Sequence, residues 1–184
     1  MQRLANVFLP GPPVPTTGEP VAGNEYIVLD ALLADGILPI VWEDTSWLAV
    51  ENAVLTLTTP PNAGISKSWG WGAGLQYLGQ MGQNLTGFEN GTLQFDLKGT
   101  VNSTVQIGFQ TGIFGSASRP QTNNYAEFGA GGIAITGDWV THNIAIRDIA
   151  LGSADFTDVS SPIYFYGASE DGGVLEVRNI RYLK

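Results

Sequence analysis

The sequence predicts an all-β domain in which antiparallel strands pack as a β-sandwich. Turn-forming residues recur at the intervals typical of a sandwich, and no stretch of ten or more residues has the apolar periodicity of an amphipathic helix. The chain has 184 residues, which is long enough for one domain with a buried hydrophobic core. We therefore expect one domain of about ten strands with one or two short helical turns.

Each predicted strand is a run of β-branched, aromatic or other apolar residues between turn residues. Apolar and polar residues alternate most clearly at 92–98 and 103–114, so each of these strands is expected to bury one face. Short helical turns are expected at 30–36 and 148–153. The strands are predicted at 26–29, 40–42, 48–59, 65–78, 91–98, 103–114, 125–129, 139–146, 163–167 and 174–183.

Composition excludes several classes of function. The chain has no cysteine, which rules out disulfides, zinc-thiolate sites and cysteine nucleophiles. His142 is its only histidine, so a histidine-rich metal cluster is impossible. The net charge of −9 and the scattering of the eight basic residues oppose binding to nucleic acid or to an anionic membrane surface. No transmembrane span is predicted.

The N-terminal segment is predicted to be a tether. Residues 1–23 contain the proline-rich stretch PGPPVPTTGEP, which is typical of a semi-rigid linker, and the β-sandwich is expected to occupy residues 24–184. A linker in front of the domain favours a module from a larger secreted chain, located outside the cell or in the periplasm. A signal-free intracellular or phage protein would have the same appearance.

The most informative segment is SWGWGAGLQY, at 68–77. In a strand, Trp69, Trp71 and Tyr77 would share one face, while the opposite face carries glycines 70, 72 and 74. Glycines in a strand indicate that a neighbouring layer or a ligand approaches the backbone closely. A row of rings suits the flat apolar face of a sugar. The alternative is that the row is part of the core.

Three motifs resemble jelly-roll carbohydrate-binding modules of the galactose-binding-like superfamily. The stretch LTGFENGTLQFDLK at 85–98 is similar to a central motif of the β-sandwich domain at the C-terminus of family 3 exo-β-glucanases. GDWV at 137–140 resembles the "Gly, any residue, Trp" strand of that family, and LEVRNIRY at 175–182 resembles its closing strand. The resemblance implies a jelly-roll sandwich that binds a polysaccharide without catalysis and holds it for an attached glycoside hydrolase.

The resemblance and the chemistry of sugars together suggest a set of ligand-binding residues. Sugars are held by aromatic rings against their C–H faces and by amide or guanidinium groups on their hydroxyls. A β-glucan is the first ligand expected, and the loop at 115–124 is expected to tune selectivity. Burial in the core remains the alternative for each ring. The candidates are the rings of Trp69, Trp71, Tyr77, Phe114 and Tyr125, and the polar groups of Gln106, Gln110, Arg119 and Asn124.

Two other tryptophan positions have simpler interpretations. Trp42 and Trp47 flank a predicted turn at 43–46, whose rim could contact a ligand, although packing on the surface is favoured. Trp139 opens the strand that the resembling family packs inward, so we expect it in the core.

A structural calcium site is a further hypothesis. Pairing of the first and last strands would bring together oxygen atoms that a hard cation prefers. Arg178 stands where the resembling family usually carries an aspartate, which weakens this hypothesis, and ordinary surface carboxylates are the favoured alternative. The candidate ligands are Asp30, Asp35, Asp171 and Asn179.

Two other classes of function are alternatives to glycan binding. A glycan-cleaving enzyme would need two carboxylates across a groove, and Asp96 and Glu127 are candidates because both lie near the predicted polar faces. No nucleophile elbow, phosphate loop or metal motif accompanies them. A structural or adhesion domain of a larger assembly would share the same fold and would instead present an apolar patch to another protein.

Overall fold

The structure is a computed structural model, and it describes residues 18–42, 47–59, 70–101, 103–167 and 173–184. These residues form two antiparallel sheets packed face to face, which confirms the predicted β-sandwich. Apolar side chains from both sheets fill the space between them, and Phe95, Phe109, Phe128 and Phe165 are among the largest that are fully buried. No helix of the described residues is long and apolar enough to cross a membrane.

The two sheets hold eleven strands, numbered here in chain order. Sheet 1 has the order β3-β4-β11-β6-β9, with β1 also paired to β11, and sheet 2 has the order β2-β5-β10-β7-β8. The strands are β1 (Glu25–Leu29), β2 (Ile37–Trp42), β3 (Trp47–Glu51), β4 (Val54–Thr58), β5 (Trp71–Tyr77), β6 (Thr92–Gly99), β7 (Thr104–Thr111), β8 (Thr122–Gly129), β9 (Val140–Ala145), β10 (Val159–Gly167) and β11 (Val174–Leu183).

In the part of the chain that the structure describes, helical structure is confined to single turns. The helix α1 (Ile146–Ile149) begins two residues before the predicted turn at 148–153, and two 3₁₀ turns lie at Leu78–Gln80 and Thr86–Phe88. The helical turn predicted at 30–36 is absent, because this segment forms bends and a bridge between Leu29 and Leu33.

The strand predicted at 48–59 is wrong in one respect, because it is a hairpin of two strands. β3 and β4 are joined by Asn52 and Ala53, whose φ angles of 51° and 64° both lie in the left-handed region. Two left-handed residues form the tight turn that matches the twist of paired strands. The nearly continuous apolar run on both sides of this turn concealed it in the sequence.

The environment of His142 makes the stability of the fold depend on pH. Its ring packs against Phe95 and Phe128, at centroid distances of 5.7 Å and 5.1 Å. Burial lowers the pKa of His142 below its ordinary value, and the charge of Asp96 opposes this only in part. The unfolded chain therefore binds a proton more readily than the folded chain does.

We expect the free energy of unfolding to fall as the pH falls below about 6.5, the ordinary pKa of histidine. Urea denaturation at intervals between pH 7 and pH 5 measures this effect. Because the chain has a single histidine, His142→Gln is expected to flatten the profile in this window. An unchanged slope in the variant would assign the pH dependence to another group.

Candidate functional site

The outward surface of sheet 2 is the strongest candidate for a binding site. Side chains alternate along each strand, so the neighbours of core residues such as Ile163 and Phe165 point away from the core. We call this surface the outer face of sheet 2. It comprises Leu38, Ile40 and Trp42 of β2, Gly72, Gly74 and Gln76 of β5, Tyr164 and Tyr166 of β10, Gln106, Gly108 and Gln110 of β7, and Asn123, Tyr125 and Glu127 of β8.

The strand registers arrange these residues in rows across the sheet. One row, called here the central row, runs from β2 to β8 through Ile40, Gly74, Tyr164, Gly108 and Tyr125. Four inter-strand steps of about 4.8 Å make this row ~19 Å long, which accommodates several sugar units. The adjacent row follows the same strands through Trp42, Gly72, Tyr166, Gln106 and Glu127.

Glycines place rings close to the backbone of this face. A Cβ atom at Gly72 would lie 2.1 Å from Cε3 of Trp42, so the indole lies directly over this glycine. At Gly74 a Cβ would lie 2.7 Å from the carbonyl oxygen of Ile163, and at Gly108 it would lie 1.9 Å from that of Asn124. Neighbouring strands therefore leave no room for a side chain at either position. Gly72 and Gly74 act as the sequence predicted, because Trp42 and a strand backbone approach them closely.

The chemistry of the outer face combines rings with polar groups, of which Glu127 is charged and exposed. Trp42, Tyr125 and Tyr166 are partly exposed, and so is Gln106 in the row beside them. Trp42 and Tyr164 are neighbours, with ring centroids 6.3 Å apart and an interplanar angle of 52°. Such a surface can stack against an apolar face and exchange hydrogen bonds with hydroxyl groups.

The structure corrects the prediction that Trp71 and Tyr77 bind a ligand. Trp71 has no exposed surface and Tyr77 is 4% exposed, so neither ring can stack on a sugar. Trp71 lies against Gly167 of β10, where a Cβ would come within 2.5 Å of the indole. The hydroxyl of Tyr77 shares a hydrogen bond with that of Tyr26. The alternative interpretation of this row as core is confirmed for these residues, while Trp69 lies outside the described residues.

Two residues predicted to hydrogen-bond a ligand are instead buried and bonded within the protein, so the structure corrects these predictions as well. Gln110 is 4% exposed and its amide donates to Asn123 Oδ1 at 3.0 Å. Asn124 has no exposed surface, and its side chain donates to Thr122 Oγ1 at 3.0 Å and accepts from the backbone N–H of Leu151 at 2.9 Å. Asn124 therefore has no surface that a ligand could reach, and the amide nitrogen of Gln110 is held by Asn123.

Two further candidates lie in the loop between β7 and β8, away from the outer face of sheet 2. Arg119 forms a two-point ion pair with Asp158, with Nε 2.8 Å from Oδ2. Phe114 is 90% exposed. A role for this loop in binding stays a prediction.

Gln106 and Tyr125 are the predicted residues that lie partly exposed on the outer face of sheet 2, where Gln110 is buried, and their contact with a ligand stays a prediction. Sequence reasoning missed Tyr164 and Tyr166 and favoured surface packing for Trp42. The sequence feature that could have identified the tyrosines is the alternation IYFYG at 163–167. In a strand, Ile163 and Phe165 point into the core and the two tyrosines point away from it.

The predicted ligands of the calcium site are not assembled by the described residues. β1 and β11 pair as expected, and Asp30 and Asp35 are exposed near that pairing. The side chain of Asn179 instead donates to Asp96 Oδ2 at 2.7 Å. Asp171 lies outside the described residues. Within the described ranges, no three His, Cys, Asp or Glu side chains are placed to hold a metal ion.

The carboxylate pair considered for catalysis is ruled out by the fold. Asp96 belongs to β6 of sheet 1, where it accepts hydrogen bonds from Thr141, Asn179 and Arg178. Glu127 belongs to β8 on the outward side of sheet 2. Because the two sheets pack face to face, these carboxylates point away from each other and cannot flank one sugar bond.

Trp139 also differs from its predicted place in the core. Its half-buried ring lies beside the outward face of sheet 1, where Arg178 Cζ and Lys98 Nζ approach its centroid to 4.2 Å and 4.8 Å. These cation–π contacts stabilise the ring against the strands.

A β-sandwich with aromatic and amide side chains on one outward sheet face is the architecture of a carbohydrate-binding module. A family model described as carbohydrate binding domain 30 matches residues 36–184. The chain belongs to this family, and it is a non-catalytic carbohydrate-binding module. This confirms the predicted class, while the likeness to the exo-β-glucanase domain stays a prediction.

Solved structures show the same fold. The family 30 module of a cellulosomal cellulase of Clostridium thermocellum is 19% identical, with a TM-score of 0.62, over 85% of this chain and 95% of that chain. A family 29 module is 15% identical, with a TM-score of 0.55, over 88% of this chain and 89% of that chain. A family 29 variant solved with cellulohexaose is 14% identical, with a TM-score of 0.54, over 86% of this chain and 89% of that chain. Comparison with curated protein sequences found no match.

Proposed function

We propose that this module binds a β-glucan chain on the outer face of sheet 2 and holds it for a covalently linked glycoside hydrolase. The observation that carries the proposal is the pair of adjacent rows in which Trp42, Tyr125 and Tyr166 stand beside glycines and Gln106. Rings next to bare backbone form a shallow, extended surface, which suits a linear chain of flat sugar rings.

The choice of glycan follows from charge and from the similar structures. A net charge of −9 disfavours an acidic polysaccharide and leaves a neutral one. One variant of a family 29 module of the same fold has been solved with cellulohexaose, and a second variant of that module has been solved with mannohexaose. A β-linked glucan is therefore the first ligand to test.

The linked hydrolase and the location of the protein belong to the same proposal. One similar module is part of a cellulosomal cellulase. We infer an extracellular or periplasmic protein, with the proline-rich residues 1–23 as the tether. The proposed binding does not involve a structural calcium ion, because the side chain of Asn179 donates a hydrogen bond to Asp96.

Affinity electrophoresis of the 184-residue chain tests the glycan. We expect mixed-linkage β-glucan in the gel to slow its migration, and alginate to leave migration unchanged because the polymer and the chain are both acidic. Laminarin, xylan and agarose complete the panel, and release of reducing sugar is measured in parallel. Unchanged migration in the β-glucan gel would overturn the proposal, and release of sugar would contradict the assignment as a non-catalytic module.

A further inference from the structure

The hydroxyl group of Tyr164 occupies the middle of the outer face of sheet 2. β10 is the central strand of the five, and the neighbours of Tyr164 in the central row are Gly74 on one side and Gly108 on the other. Tyr164 is 1% exposed, yet it is absent from the hydrophobic cluster that contains the adjacent residues Ile163 and Phe165. Its ring therefore lies on the outward side of sheet 2, opposite to Ile163 and Phe165.

This hydroxyl has no hydrogen-bond partner among the described residues. The other deeply buried tyrosines are satisfied: Tyr182 donates to the carbonyl oxygen of Pro162 at 2.7 Å, and Tyr77 bonds to Tyr26. A buried polar group without a partner costs about 1–3 kcal/mol of stability. An unpaired hydroxyl at the centre of a candidate binding surface is explained if a bound ligand supplies its hydrogen-bond partner.

Two aromatic side chains flank Tyr164 on the outer face of sheet 2. Trp42 lies on the β2 side, with its ring centroid 6.3 Å away, and Tyr125 follows Gly108 on the β8 side. Both are partly exposed. Rotation of either side chain would open the hydroxyl to a ligand with the sheet unchanged.

The protonation state of Tyr164 suits a donor. Burial raises the pKa of Tyr164 far above its ordinary value, and the nearby Tyr125 raises it further. The phenol therefore keeps its proton at neutral pH. A neutral phenol can donate this proton to the oxygen of a sugar hydroxyl.

We propose that Tyr164 Oη donates a hydrogen bond to a hydroxyl group of the glycan and thereby selects the sugar unit at the centre of the face. This inference rests on the proposed function. It assigns to Tyr164 a role as a specificity-determining residue beneath Trp42 and Tyr125, which supply ring surface. A site that bonds a particular hydroxyl discriminates against a sugar that lacks it, because the phenol is then left unpaired.

Tyr164→Phe tests the inference, with Tyr182→Phe as the matched control. Both variants remove one buried phenolic oxygen, but only Tyr182 has a protein partner for it. We expect Tyr164→Phe to keep or raise the melting temperature of the free protein and to weaken binding to mixed-linkage β-glucan about three- to tenfold. Tyr182→Phe is expected to lower the melting temperature and leave this affinity unchanged.

Two results would overturn the inference. Unchanged affinity of Tyr164→Phe would show that the glycan does not use this hydroxyl. A fall in melting temperature as large as that of Tyr182→Phe would show that the hydroxyl already has a partner in the free protein. Failure of the unmodified chain to bind mixed-linkage β-glucan would be a different result, because it would overturn the proposed function itself.

Discussion

Trp71→Ala is expected to destabilise the fold by about 3–5 kcal/mol, the usual cost of truncating a buried aromatic side chain to alanine. Trp71 is fully buried and is among the largest side chains of the core. Its indole covers Gly167 on β10, so the truncation leaves a cavity that no neighbouring side chain at 167 can fill. Chemical denaturation followed by circular dichroism measures the loss.

Phe114→Ala is the control for this measurement. Phe114 is 90% exposed, so removing its ring should change the free energy of unfolding by no more than about 0.5 kcal/mol. A Trp71→Ala protein with unchanged stability and lost glycan binding would return Trp71 to the binding site and contradict the structure.

Trp42→Ala is expected to lower the affinity for β-glucan about thirtyfold or more, because an aromatic residue at the centre of binding typically contributes 2 kcal/mol or more. Trp42 is the largest ring on the outer face of sheet 2, and it lies directly over Gly72 beside Tyr164. Its position at the surface means that the variant should remain folded. Isothermal titration calorimetry against mixed-linkage β-glucan measures the change.

Trp139→Ala is the matched control, since it removes the same side chain from the opposite outward surface. Trp139 lies beside Lys98 and Arg178 of sheet 1, so its loss should leave glycan affinity unchanged. Equal losses of affinity in the two variants would mean that binding does not depend on the outer face of sheet 2. Loss in Trp139→Ala alone would move the site to sheet 1.

Periodicity predicted which residues share a face, but not which face enters the core. The sequence placed Trp71 and Tyr77 on one side of a strand and glycines on the other, and the structure agrees. The orientation of that strand depends on its partners: Gly167 makes room for Trp71 inside, and Trp42 covers Gly72 outside. Both partners are distant in sequence, so a local pattern contains no information about them.

Polar residue type was a poor guide to exposure for a related reason. Gln110 and Asn124 were expected to bind a ligand because amides suit sugar hydroxyls. In the structure Asn124 holds the backbone N–H of Leu151, and Gln110 holds Asn123 across two strands. A polar group elsewhere in the fold can take an amide as its hydrogen-bond partner, and which amide it takes becomes visible only once the chain is folded.

Gly74 and Gly108 impose a limit on how the selectivity of this module can change. Backbone atoms of the adjacent strands would lie 2.7 Å or less from any Cβ at these positions, so every substitution there must separate paired strands. The positions at the two ends of the central row, Ile40 and Tyr125, have no such restriction. A combinatorial library for new polysaccharides should therefore randomise residues 40, 106, 125 and 127 and keep both glycines fixed.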